Sequence, residues 1–124
     1  EALDTIDILE GQWVFERTEI AKNRFFSLNN LAQALHDLES YNLSIEKRRH
    51  AMLIAEEQDN QIWRADALYG LGETYNAMVE RKNAQTMLNE ALDLYIQNQA
   101  TAYAKELEVF MESEGYTRIT SVQN

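Results

Sequence analysis

Apolar residues recur at helical spacing along most of the chain, most regularly between Ala65 and Ala91. Leu68, Leu71 and Tyr75 lie three and four apart, as do Leu88, Ala91, Leu92 and Tyr95, so each set shares one helical face. Ala65, Gly72 and Ala84 add small residues to those faces, and Arg81-Lys82-Asn83 is a polar break between them. The pattern repeats. At a shift of 40, Leu28 falls on Leu68, Leu31 on Leu71, Ala32 on Gly72, Leu35 on Tyr75, Ala51 on Ala91 and Ile54 on Leu94. Gly11 then falls on Ala51, which starts a third partial copy. The register predicts about six helices, over residues 3–17, 21–39, 43–57, 61–79, 84–97 and 101–114. The sixth fits a shift of 39, with Ala104, Leu107 and Phe110 answering Ala65, Leu68 and Leu71.

Core candidates follow from the same faces. They are Leu3, Ile6, Ile8, Val14 and Phe15 in the first helix, and Leu28, Leu31, Ala32, Leu35 and Leu38 in the second. The third offers Ala51, Ile54 and Ala55. Residues Glu39–Asn42 and Gln58–Asn60 are polar breaks, and Asp59 or Asn60 is placed to cap the helix that follows. Gly115 is a C′ candidate. Residues 1–115 therefore read as one helical repeat domain, and 116–124 as a polar tail or linker. The chain begins at Glu1 rather than Met, which reads as a piece of a longer protein.

Composition narrows the function class. With no proline and four glycines, long helices are unobstructed, whereas a turn-rich β fold is disfavoured. A net charge of −10 repels phosphate backbones, so no nucleic-acid partner is expected. The absence of cysteine excludes disulfides, thiolate metal sites and a cysteine nucleophile. No apolar run approaches the roughly 20 residues of a membrane span, so no membrane insertion is expected, and the location is read as cytoplasmic.

The motif Leu68-x-x-Leu71-Gly72-x-x-Tyr75 followed by Ala84-x-x-x-Leu88-x-x-Ala91 resembles the tetratricopeptide repeat family. A leucine stands where that family has tryptophan, another where it has phenylalanine, and the closing proline is missing. The preceding copy, Leu28, Leu31, Ala32 and Leu35 with Ser44, Arg48 and Ala51, is weaker, and Arg48 occupies a position where an aromatic is usual. The resemblance spans residues 3–114 and is specific over 68–91. It implies an all-α fold of antiparallel helix pairs stacked as a superhelix, each repeat burying its apolar face on the next. Gly72, Ala84 and Ala91 would permit close helix approach. The 40-residue period looks like that of arrays in bacterial signalling regulators, which implies a sensory or adaptor segment that binds protein or peptide.

In such arrays the first helix of each pair lines a concave face. One residue on from the core face, a rotation of ~100°, lie Asp66, Tyr69, Glu73 and Asn76. The matching stripes are Phe26, Asn29, Gln33 and His36, and Lys105, Glu108 and Glu112. Amides such as Asn29 and Asn76 bond both groups of a peptide backbone. The acidic balance predicts a neutral or basic partner, weakened by charge reversal at Glu73 and Glu112. The bland reading of these stripes is an ordinary solvated face. Gly70-Leu71-Gly72-Glu73 lacks the third glycine and preceding strand of a phosphate loop, and reads as a packing device. His36 and His50 have no ligand partner four residues away, and no metal or cofactor is expected. The basic run Glu46–His50 reads as a solvated outer face. No nucleophile motif or fixed carboxylate pair is present, so the chain reads as a non-enzyme. A structural module that dimerises through uncapped terminal helices is the alternative function.

Overall fold

Four turns recur at a fixed interval of 20 residues. Glu39, Asp59, Val79 and Gln99 all take positive φ, between 52° and 63°. The N–H that follows each one reaches back five residues: Ser40 to Leu35 (2.8 Å), Asn60 to Ala55 (2.9 Å), Glu80 to Tyr75 (2.9 Å) and Ala100 to Tyr95 (2.8 Å). This is the Schellman closure of a helix C-terminus, built here four times without glycine. Gly115, at φ 82°, makes the fifth, with Tyr116 N–H on the Met111 carbonyl at 2.7 Å. Asn60 caps the next helix by accepting from Trp63 N–H at 3.0 Å.

The computed structural model describes residues 2–120, with side chains from residue 7 onward. These turns divide it into α1 (Ala2–Asp37), α2 (Tyr41–Glu57), α3 (Gln61–Ala77), α4 (Arg81–Gln97) and α5 (Thr101–Ser113). Helices α2, α3 and α4 are each 17 residues long. A helix and a three-residue turn make the 20-residue unit, and a pair of units makes the 40-residue period. The fold is all-α among the described residues, with five helices rather than the six predicted.

The missing break lies in α1, which runs unbroken for 36 residues. By the 20-residue interval a turn belongs at residues 18–20. The backbone instead stays helical, and Thr18 Oγ1 bonds the Val14 carbonyl within the same helix at 2.9 Å. Ile20 stands where Ser40, Asn60, Glu80 and Ala100 precede the later helices, and of these only Asn60 caps with its side chain. Glu19 matches Glu39, which takes the left-handed turn, so nothing local at residues 18–20 explains the unbroken ladder.

Three-residue turns force antiparallel pairs, α1 with α2 and α3 with α4. Helix α3 packs on α2 and α5 on α4. The larger core joins Leu68, Leu71, Tyr75, Leu88, Leu92 and Tyr95 to Leu107 and Met111. The smaller one sets Phe25 against Ala51, Ile54, Ala55 and Ala67, with Trp63 stacked on Phe25 at 4.9 Å. Gly72 is a contact point: a Cβ there would lie 2.4 Å from Leu88 Cδ2. Several core expectations are corrected. Leu31 and Leu38 are exposed, as are Ile8, Val14 and Phe15, because no described element covers those faces of α1. The side chains of Leu3 and Ile6 lie outside the described residues. Met111, not Phe110, is buried on α4, because α5 starts 40 residues after α3, not 39.

Residues 116–119, where the sequence suggests a tail or linker, lie along α4; residues 121–124 are outside the description. Tyr116 is buried beneath Arg81, whose guanidinium carbon sits 4.2 Å from its ring centre. Gln85 Nε2 donates to the Thr117 carbonyl at 3.0 Å, and Asn89 both accepts from Ile119 N–H (2.5 Å) and donates to its carbonyl (2.7 Å). Arg118 pairs with Asp93 at 2.9 Å. Arg81, Gln85, Asn89 and Asp93 are four apart and so form one polar ladder on α4.

Candidate functional site

Glycine at position 70 shapes the middle of the array. A Cβ there would lie 2.3 Å from the Arg48 guanidinium, so any larger residue would make that side chain shift. Arg48 enters from α2 because Ser44, Arg48, Ala51 and Ala55 share its inward face; all four are buried. Ser44 Oγ donates to the Ala32 carbonyl at 2.7 Å and holds α2 against α1. The guanidinium then reaches Asn29 Oδ1 (3.0 Å) and Gln33 Oε1 (3.1 Å) on α1. Its Nε is buried without a partner. The basic run is therefore not a uniformly solvated face: Arg48 points inward, and Arg49 donates to the Tyr75 hydroxyl at 2.6 Å.

Around Arg48 lies a groove of about 310 Å³, lined by residues of all five helices, among them Gln33, Asp66, Tyr69, Glu73, Tyr103 and Glu106. Asp66 accepts a hydrogen bond from the Tyr95 hydroxyl. Tyr95 stacks on Tyr103 at 5.5 Å, and Tyr69 meets Phe110 at 5.8 Å. Burial raises the Asp66 carboxyl above its ordinary range, against the opposing effects of the Tyr95 hydrogen bond and the Arg48 charge. Burial likewise raises Glu73, with Arg48 opposing and Glu106 adding to the rise. The Tyr69 hydroxyl is pushed up to about 12, by burial first and then by Glu73 and Glu106. Arg48 is lowered by burial, with Glu73 and Asp66 pulling the other way. Three carboxylates thus face one buried guanidinium that is already bonded to two amides.

The structure brings together Asn29, Gln33, Asp66, Tyr69 and Glu73 of the predicted stripes. Phe26, one turn before Asn29 on α1, lies edge-on to Trp63 at 5.9 Å. His36 is half-buried, with Nδ1 2.8 Å from Thr74 Oγ1. Asn76 is engaged internally, accepting from the Tyr116 hydroxyl (2.6 Å) and donating to Glu114 (2.8 Å). Lys105, Glu108 and Glu112 line a separate cleft with Leu92 and residues 116–118. The α5 residues that meet the groove or its wall are Tyr103, Glu106 and Phe110. A signal for Glu106 existed: at a shift of 40 it answers Asp66, and the shift of 39 moved the stripe one residue back, to Lys105. Arg48 also carried a signal: at the shift of 40 it answers Leu88, an inward position, although the basic run around it reads as an outer face.

The family model described as tetratricopeptide repeat matches residues 24–97, more than half of the chain. The chain belongs to the tetratricopeptide repeat family. No curated protein and no solved structure gives a match. Tetratricopeptide repeats serve as protein–protein interaction scaffolds and are typically not catalytic. The matched span takes in α2, α3, α4 and the half of α1 that packs on α2, so both complete repeats fall inside it. In this tetratricopeptide array no described helix is long and apolar enough to cross a membrane.

Proposed function

We propose that this tetratricopeptide array binds an extended protein segment in the groove around Arg48, and that the segment is neutral or basic. The observation that carries the reading is the lining itself. Asp66, Glu73 and Glu106 offer carboxylates, Asn29 and Gln33 offer amides, and Tyr69 and Tyr103 offer aromatic walls. A lysine or arginine placed there would meet Asp66 and Glu73, whose carboxylates burial has left under-solvated, which favours a cation over a second anion. The aromatic rings suit the stem or the charge of such a side chain. The 40-residue period supports the narrower reading of a sensory or adaptor segment in a bacterial signalling protein.

The test is an array of labelled peptides with basic, neutral and acidic members, read by fluorescence anisotropy. Basic members are expected to bind most tightly and acidic ones not at all. Glu73→Lys should weaken a basic peptide by about tenfold or more. Glu112→Lys, in the cleft beside residues 116–118, should act far less. Equal binding of acidic and basic peptides, or no effect of Glu73→Lys, would overturn the groove.

A further inference from the structure

Helix α1 carries a face that its counterpart buries. At the 40-residue shift Ser27, Asn30, Leu31 and Ala34 answer Ala67, Gly70, Leu71 and Thr74. The α3 set is buried, packed on α2. The α1 set is exposed, with Leu31 at 45%. This face is therefore built to receive a helix. In the repeat register the helix that would occupy it is the first half of α1, since Gly11 answers Ala51 of α2. That half runs straight on instead, and Leu9, Trp13 and Ile20 stand exposed at 60%, 59% and 56%.

We infer that two copies of the chain pair through α1, antiparallel, each laying the first half of its α1 on the second half of the other's. At ~100° per residue, Leu9, Trp13, Glu16, Ile20, Arg24, Ser27 and Leu31 fall within an arc of about 80°. The core residues Phe25, Leu28 and Ala32 lie on a different side of α1, as do the groove residues Asn29 and Gln33. The stripe is self-complementary when paired positions sum to 40: Leu9 with Leu31, Trp13 with Ser27, Glu16 with Arg24, and Ile20 with itself. The large indole meets the small hydroxyl residue, opposite charges meet, and no like-charged pair falls between residues 7 and 33 in this register. A two-fold axis through Ile20 makes the contact isologous, so it closes at a dimer. The unbroken helix at residues 18–20 is what delivers the segment to the partner. The pairing uses a face separate from the peptide groove and does not depend on it.

The experiment is sedimentation equilibrium on the whole chain, together with disulfide trapping of Ile20→Cys, which would be the only cysteine. A dimer is expected, with rapid cross-linking of Ile20→Cys under mild oxidation. Ile20→Glu should weaken association at least about tenfold with its helical circular dichroism retained. Glu16→Arg should weaken it, and Glu16→Arg combined with Arg24→Glu should restore it. A monomer at all concentrations, as expected if residues 18–20 turn back on their own chain, would overturn the proposal. So would a dimer indifferent to Ile20→Glu, as a contact elsewhere would give.

Discussion

At the residue scale, Gly70 and Gly72 sit where a neighbouring side chain takes the space of a Cβ, whereas Glu39, Asp59, Val79 and Gln99 hold left-handed positions without glycine. Gly72 is helical, and Leu88 fills the space its side chain would take. Val79 occupies the left-handed region at φ 61° and is 77% exposed. A β-branched residue there is unfavourable by about 1–2 kcal/mol and buries little in return. The two substitutions should move stability in opposite directions, against what helix propensity alone suggests. Gly72→Ala is expected to destabilise by about 1–3 kcal/mol through overpacking. Val79→Gly is expected to stabilise by about 1 kcal/mol, net of the extra freedom glycine gives the unfolded chain. Urea unfolding of each variant measures both.

At the scale of elements, the polar ladder on α4 decides what the end of the chain does. An α-helix advances about 6 Å in four residues, and an extended chain advances about 6.6 Å in two. Successive ladder residues can therefore reach alternate carbonyls of a docked strand: Arg81 reaches Glu114 and Gly115, Gln85 reaches Thr117, and Asn89 reaches Ile119. Asn89 makes both bonds to Ile119, and Asp93 beyond it pairs with Arg118. Asn89→Ala should speed amide exchange at Ile119 by tenfold or more, an order-of-magnitude expectation for two lost hydrogen bonds. Exchange in the α4 core around Leu88 and Leu92 should be unchanged. Hydrogen–deuterium exchange with peptide-level resolution separates the two.

At the scale of the whole molecule, the groove makes stability and binding depend on pH in opposite senses. Asp66 and Glu73 hold their protons more tightly when folded than when unfolded. Their protonation thus contributes stability that is fully present below the ordinary carboxylate pKa and is lost as pH rises through the raised folded values. Glu73→Gln should therefore be more stable than the parent at pH 7, and that advantage should shrink as pH falls through the mildly acidic range. Thermal unfolding of the pair at several pH values tests this, since other titrating groups cancel in the difference. Binding of a basic peptide should run the other way: it needs the carboxylates charged, so affinity falls on acidification. These same groups explain why a scaffold that is acidic overall keeps one arginine at its centre.

The amino-acid pattern by itself determined the all-α fold, the 40-residue period, the small residue at 72 and the shared face of Asp66, Tyr69 and Glu73 on α3. Each follows from local propensity and from which residues share a helical face, which is set by 3.6-residue periodicity alone. On α1 the same periodicity placed Asn29 and Gln33 beside Arg48, but Phe26 and His36 contact Trp63 and Thr74 instead. Tertiary structure decided the rest. The break expected near residue 18 did not form although Glu19 stands where Glu39 turns the chain, so the same local residue takes either course. Leu31 and Leu38 carry the periodicity of a core and stand outside it, because burial needs a neighbour that periodicity does not supply. Arg48 went inward because Gly70 makes room for it and two α1 amides accept its protons, a fact spread over three helices. The one-residue phase of α5, which separates Glu106 from Lys105, was set by where a turn closes and not by the apolar pattern that follows it.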